Sequence, residues 1–439
     1  MTGVVRMPSY AQERRVRAAC APADRRPGPG AKTIPLVCRL PGPVDVGAVE
    51  AAVRAFVQRH PALQYQFGWR GERVVLHRAV EAVDGIRCEA VDRAELPSGP
   101  AAADEYVRRR IDEPFDVLSW PLLRAGVVRG DEPIFYLSMD HLTCDGWSAF
   151  RAKAEIEALY AAALAGCPAD LPPPADFIAY SAAQRRRFAD GPLLDDQIAA
   201  FQELLAGRPV QPTFAVHPGV WDLGTGRYAR IQLLDAGATE AFGRACRGAR
   251  TTLFMGLLAA YGMAVREATG LPETGIMVAT HNRDAPEVRD GIGWYANMLP
   301  LYFPIAGTER FGDVVHQVRT RLFGLLDHHE LPLARVLDCA GSGFYDGAGE
   351  RIPTCFMSFV DVRTATRDVA VAHGNAAAGT GWERIEVAPA YRTGYGIWAL
   401  LRDDGLWAVV ASPQVHGGDR PLRDFEDTLV EVLHKLASG

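Results

Sequence analysis

IFYLSMDHLTCDGWSAF, running from Ile134 to Phe150, is the stretch whose reading decides the fold. Its first part, Ile134 to Met139, alternates in a way that predicts a half-buried strand. Asp140, His141, Asp145 and Gly146 follow, and a helical pattern begins at Trp147. The polar cluster therefore sits at a strand-to-helix junction. There a histidine ring can point into a crevice, while a carboxylate followed by glycine can turn away to hold the backbone. His141 to Gly146 spell HxxxDG. On these residues alone two readings stand: a site built on the imidazole, or a tight turn holding an internally satisfied histidine beside an Asp-Gly bend.

Just before this stretch, Leu122 to Val128 reads as a neighbouring strand, joined through Arg129, Gly130, Asp131 and Glu132 as a hairpin. Just after it, Phe150, Ala154, Ile156, Leu159, Tyr160 and Leu164 make an amphipathic helix that stops at Gly166. Towards the N-terminus, Ser9 to Arg15 opens a helix and Lys32 to Arg39 reads as a strand. From the cap Asp45, the residues Val49, Ala52, Val53, Phe56 and Val57 fall on one helical face. Two strands, Leu63 to Phe67 and Arg73 to His77, come next. The prolines of Leu171 to Pro174 (LPPP) are the most rigid linker signal, which predicts a first lobe over 1–172 and a second over 173–439. In the second, Thr252 to Thr269 is a helix apolar on nearly every side, and a buried strand from Gly275 to Thr280 leads into the loop His281, Asn282, Arg283 and Asp284. Hairpins and covering helices in this mixed order indicate an α+β fold.

At 439 residues the chain can hold two or three domains. A net charge of -6 and the lack of a long basic stripe argue against nucleic-acid binding. No uncharged apolar run of about 18 residues or more occurs, so no membrane span is expected. Charges at Arg6, Glu13, Arg14 and Arg15 break the apolar run a signal peptide needs. The eight cysteines are scattered, with neither a CxxC pair nor metal-ligand spacing, as reduced thiols in a cytoplasmic protein would be.

Five motifs in order resemble the condensation domains of nonribosomal peptide synthetases, within the superfamily that includes chloramphenicol acetyltransferase. Ser9, Ala11, Gln12 and Arg14 match the opening SxAQxR; Arg59, His60, Leu63 and Phe67 match RHxxLxxxF; Met139 to Ser148 matches MHHxxxDGxS. Ile292, Gly293 and Asn297 match IGxFxN, and His329, Pro332 and Leu333 fall where HxxxPF lies. The resemblance covers nearly the whole chain. It implies two chloramphenicol-acetyltransferase-like lobes set in a V, with a tunnel between them and the motif histidine at its middle.

By the same resemblance, His141 acts on the nucleophile that attacks an acyl thioester, either by taking its proton or by positioning it and stabilising charge. An imidazole with an ordinary pKa of about 6.5 can do this near neutral pH. Asp145 pairs with an arginine of the second lobe, and Arg283 is the position matched to it. Gly146 lets the backbone turn beside the tunnel. Trp147 and Ser148 line the tunnel, although core packing explains the tryptophan equally well; Asn297 either hydrogen-bonds substrate or caps a loop. Asp140 stands where the family has its first, structural histidine. With Asp145 and Ser148 it also spells DxxxxDxxS, the mark of heterocyclization domains, which ordinarily lack the histidine and glycine kept here. Gly394 to Trp398 (GYGIW) is the nearest approach to a DFGWG-like segment.

Other chemistry finds little footing. His328, His329 and Glu330 lack a third ligand at helical spacing, so no metal is expected. The GxG pieces at Gly224 to Gly226 and Gly341 to Gly343 lack the setting of a nucleotide fold, and neither a Walker motif nor a GxSxG elbow occurs. The resulting expectation is a free-standing, monomeric condensation enzyme that forms an amide or ester bond in natural-product biosynthesis. Its donor would be a phosphopantetheine thioester on an acyl or peptidyl carrier protein supplied in trans, or acyl-CoA, and its acceptor a small amine or alcohol. The alternatives are a CoA-dependent O-acyltransferase, a heterocyclization-type enzyme, and a catalytically silent module that docks carrier proteins or recruits a tailoring enzyme.

Overall fold

The computed structural model describes residues 6–21, 33–99, 101–216, 221–305, 310–339, 354–364, 381–385, 387 and 394–439. In chain order the elements are α1 (Tyr10–Ala19), β1 (Thr33–Arg39), α2 (Val46–Arg59), β2 (Tyr65–Arg70), β3 (Arg73–Arg78), β4 (Cys88–Asp92), α3 (Ala102–Asp112), β5 (Leu123–Arg129), β6 (Ile134–Asp140), α4 (Gly146–Ala165) and α5 (Phe177–Arg187). They continue with α6 (Pro192–Leu205), β7 (Trp221–Asp235), α7 (Ala236–Gly248), α8 (Leu253–Thr269), β8 (Glu273–Thr280), β9 (Asn297–Pro304), α9 (Phe311–Leu326) and α10 (Leu333–Cys339). Last come β10 (Thr354–Asp361), β11 (Glu383–Ile385), β12 (Gly394–Arg402), β13 (Gly405–Val415) and α11 (Arg420–Ser438).

Strand β6 is the middle of a five-stranded sheet ordered β11-β1-β6-β5-β4. It runs antiparallel to both neighbours, with Met139 opposite Ile34 on one side and Leu123 on the other. All seven of its residues are buried, which corrects the half-buried alternation expected from sequence. The reason is that helices cover both faces. Phe135, Leu137 and Met139 share a core with Val49, Val53 and Phe56 of α2 and with Ala152 and Ile156 of α4. Ile134 and Tyr136 pack instead with Ala103, Val107 and Ile111 of α3, and the Ser138 hydroxyl donates to the Ile111 carbonyl at 3.1 Å. Each of these large apolar side chains contributes about 1.5–3 kcal/mol relative to exposure. The strand that ends at the HxxxDG turn is thus among the most firmly held parts of its unit.

The chain forms two compact units, and their boundaries correct the single division after residue 172. The first comprises Met1–Ala189, His281–Ala296 and Thr364–Pro389; the second comprises Asp190–Thr280, Asn297–Arg363 and Ala390–Gly439. The prolines of the LPPP run do not separate them. Arg59 donates to the Pro172 carbonyl at 2.7 Å, and Phe177 of α5 is fully buried in a first-unit core with Val16, Leu142 and Tyr295. Two later segments return to the first unit for the same kind of reason: Ile292 and Trp382 both enter the core around β6, and β11 pairs with β1.

The second unit holds a six-stranded mixed sheet ordered β7-β13-β12-β10-β8-β9, in which β10 runs parallel to β8 and β12. Helix α8 packs closely enough that Gly256 and Gly262 leave no room for a Cβ, which would lie 2.4 Å from Cys246 Sγ and from Phe303 Cε2 respectively. Close packing therefore accounts for these glycines. Among the described residues no helix is long and apolar enough to cross a membrane.

Candidate active site

Five residues, 141–145, join β6 to α4, and the backbone on each side of His141 is fixed by side chains. Asp140 caps the turn: its Oδ1 accepts from the Leu142 N–H at 2.8 Å, and its carbonyl accepts from the Thr143 N–H at 2.9 Å. Its other carboxylate oxygen, Oδ2, meets Arg15 Nη2 at 2.7 Å. Gln12, in the same helix α1, donates from Nε2 to the Leu142 carbonyl at 2.6 Å. Between these anchors His141 is half-buried, and its ring lies 4.4 Å from that of Trp294, centroid to centroid, with a 51° tilt.

The other end of the turn is a clamp. Asp145 is the N-cap of α4, accepting from the Ser148 N–H at 3.0 Å while the Ser148 hydroxyl faces back to the Asp145 backbone. It also receives both arms of the Arg283 guanidinium, each at 2.8 Å, and the N–H groups of Tyr295 and Ala296, each at 3.0 Å. Burial alone would push this carboxyl up, but the Arg283 charge and the hydrogen bonds from Arg283 and Ser148 hold it below the ordinary carboxylate range. Arg283 belongs to the first compact unit, not to the second lobe as its place in the sequence suggested. Two turns of α4 grip this returning segment: Asp145 holds Arg283, the Ser148 hydroxyl bridges to the Gly293 carbonyl at 3.1 Å, and Arg151 pairs with Asp290 at 2.6 Å. Residues 145, 148 and 151 lie on one helical face.

The remaining candidates divide. Ser148 is fully buried and its hydroxyl is committed to Asp145, Arg283 and Gly293, so it belongs to the clamp and does not present a surface to substrate. Asn297 caps a loop of the second unit: its amide donates to the carbonyls of His329 and Leu331 at 2.9 and 2.7 Å, and its oxygen accepts from the Leu333 N–H at 3.0 Å. Both therefore leave the substrate-binding set. Trp147 stays half-buried, stacked near His281 with centroids 6.3 Å apart and 5.8 Å beneath the Arg151 guanidinium. Gly146 does not make the turn, since it is the first residue of α4 and has no positive φ; a Cβ on it would meet nothing within 4 Å. The Arg59-His60 pair is structural, with His60 Nε2 fully buried 2.8 Å from Glu155 of α4 and Arg59 Nε 3.2 Å from the same oxygen.

Sequence reasoning passed over Arg15, Trp294 and the Arg151–Asp290 pair. Arg15 had a detectable signal, because an acid at the end of a buried strand requires a nearby cation. Trp294 had none, since nothing in its spacing announces a contact with residue 141. Cys144, inside the turn, is no nucleophile: complete burial pushes its thiol well above the ordinary range. Among the described residues no group of three or more His, Cys, Asp or Glu could hold a metal ion. His328, His329 and Glu330 lie where α9 ends, and His329 Nδ1 faces the Leu326 carbonyl at 2.7 Å. The GxG piece at 341–343 lies outside the described residues.

Comparison with known proteins agrees with this architecture. The family model described as "Condensation domain" matches residues 26–340. Chondramide synthase cmdD of Chondromyces crocatus is 29% identical over 316 residues, which cover 70% of this chain but only 8% of that much longer protein. Acyltransferase PapA3 of Mycobacterium tuberculosis is 25% identical over 344 residues, covering 76% of this chain and 70% of PapA3. Among solved structures, PapA2 acyl transferase superposes with a TM-score of 0.79 at 21% identity, over 99% of this chain and 92% of that one. The α+β, chloramphenicol-acetyltransferase-like fold expected from the sequence is the fold observed.

Proposed function

We propose that this chain, which belongs to the condensation-domain family, is an acyltransferase that joins a thioester-borne acyl group to an amine or alcohol, forming an amide or ester. The observation that carries this reading is the placement of His141. It is a half-buried imidazole at the end of a rigid strand, and the two acids beside it are already engaged by Arg15 and Arg283. The acceptor's nitrogen or oxygen attacks the thioester carbonyl carbon as its proton passes to the imidazole. The C–S bond then breaks, and the leaving thiolate takes that proton back. His141 is the proposed catalytic residue. Asp140, Asp145 and Arg283 fix the turn, and Gly146 and Trp147 open the helix that follows it.

The acyl donor in this reading is a phosphopantetheine thioester on an acyl or peptidyl carrier protein in trans, or acyl-CoA, and the enzyme acts as a cytoplasmic monomer without a resident cofactor. Among the described residues no two cysteines are joined by a disulfide, which is compatible with a reducing compartment. Similarity along 70% of PapA3, a protein named as an acyltransferase, supports acyl transfer by a chain of this size. Heterocyclization finds less support because both oxygens of Asp140 are occupied, Oδ2 by Arg15 and Oδ1 by the Leu142 N–H.

The test offers the protein an acyl-loaded carrier protein or acyl-CoA alone, each with a panel of amines and alcohols. Product formed by the native chain and lost in His141→Ala supports the reading. Equal yield from His141→Ala removes His141 from the chemistry, and carrier binding without turnover over the panel would replace the enzyme with a docking module.

A further inference from the structure

We infer that Trp294 is the positioning residue for His141, and that the clamp on Asp145 exists to carry this indole to the imidazole. The inference rests on the reading of His141 as the reacting side chain. Trp294 sits in a run of backbone pinned at both of its neighbours. The Gly293 N–H donates to the Ser148 hydroxyl at 3.3 Å and the Gly293 carbonyl accepts from it at 3.1 Å, while the Tyr295 N–H donates to Asp145 at 3.0 Å. Gly293 is pressed so closely against Phe177 that a Cβ would lie 2.3 Å from Cδ2. The Tyr295 ring lies beneath the Arg283 guanidinium, 4.4 Å away.

His141 is held in the matching way, with Asp140 fixed by Arg15 on one side and Leu142 held by Gln12 on the other. Two rings thus project from two immobilised backbones and meet at 4.4 Å, Trp294 being backed in turn by the core that contains Leu142, Phe177 and Tyr295. An imidazole has two side-chain torsions, so a ring packed 4.4 Å from it narrows the range it samples, and a displacement of about 1 Å at a reacting group can cost about 100-fold in rate. The charged and titratable groups around the turn are Asp140 with Arg15 from α1, Asp145 with Arg283 from the returning segment, and the buried Cys144 thiol. The two acids are ion-paired and the thiol is held neutral, and the Trp294 ring contact is a hold on the imidazole distinct from these groups.

The experiment labels histidine with carbon-13 in the full-length protein, assigns His141 by its loss in His141→Ala, and follows its ring signals against pH in the native chain, Trp294→Phe and Trp294→Leu. Nuclear Overhauser contacts between the His141 ring and the Trp294 indole are expected in the native protein. In a folded Trp294→Leu the His141 ring signals should move, because the indole that packs against them is gone. Under the acyl-transfer assay kcat should drop on the order of 10- to 100-fold with KM within about three-fold, and Trp294→Phe should recover most of the loss. Absence of the native Overhauser contact overturns the proposal even when the variants do not fold. So does an unmoved His141 spectrum in a folded Trp294→Leu. If instead the native chain transfers no acyl group while the ring contact is present, the functional reading fails and the positioning geometry stands.

Discussion

Arg15 places Nη2 2.7 Å from Oδ2 of Asp140, and both side chains are buried. The pair joins the first helix of the chain to the end of the central strand, 125 residues later in sequence. It also explains how an acid is accommodated at the buried end of this strand. The carboxylate is satisfied by a cation on one oxygen and a backbone N–H on the other, so it shapes the turn and has no lone role in chemistry.

From this pair, Arg15→Met is expected to strand a buried carboxylate and to lower stability by about 3–5 kcal/mol. Asp140→Asn, which keeps an acceptor for Leu142, should cost less. The double variant should cost clearly less than the sum of the two, because the partners interact directly. Urea midpoints for the four proteins give the coupling, and strict additivity would show that the ion pair contributes nothing.

Acid should act through Asp145. Its carboxyl is held below the ordinary value of about 3.9, burial being outweighed by Arg283 and the hydrogen bonds at Ser148. A folded-state value below the unfolded one gives stability that is complete above the ordinary carboxylate range and is lost as pH falls through the folded value. The native chain should therefore exceed Asp145→Asn in stability by a constant margin above about pH 5. That margin should shrink steadily below about pH 4. Urea midpoints across this range check the sign; a margin that grew on acidification would contradict the lowered carboxyl.

The sequence made the frame legible and left its connections hidden. Periodicity places β5, β6 and α4 well because each is local, and the ordered motifs bring His141, Asp145 and Arg283 into one argument. Burial of β6 on both faces was not legible, since its alternation also suits a one-sided strand and only the assembled α2, α3 and α4 distinguish the two. The return of 281–296 to the first unit was equally hidden, because a proline run signals stiffness and says nothing about which core a later segment will enter. For a related reason the sequence could not tell Ser148 from a tunnel-lining residue or decide between the two readings of Asn297. A polar residue beside a motif looks available to substrate until its hydrogen-bond partners are counted, and those partners lie 145 residues from Ser148 and 32 to 36 residues from Asn297.

Asn297→Ala should accordingly behave as a loop defect. Three hydrogen bonds to residues 329, 331 and 333 disappear, leaving partly buried backbone groups unmatched, at a cost of about 1–3 kcal/mol. Steady-state kinetics on the folded fraction should show KM within about two-fold of the native value. A KM raised about ten-fold with unchanged stability would return Asn297 to the substrate.

The last prediction sets two glycines of neighbouring motifs against each other. Gly293→Ala forces a methyl group to within 2.3 Å of Phe177, at a packed and hydrogen-bonded position, and overpacking of this kind costs about 1–3 kcal/mol. Gly146 has neither a positive φ nor a neighbour that a Cβ would strike, so Gly146→Ala should leave stability within about 0.5 kcal/mol. Thermal melts of the two alanine variants check this contrast. A Gly146→Ala variant that lost as much stability as Gly293→Ala would show that the start of α4 is as tightly packed as the returning segment.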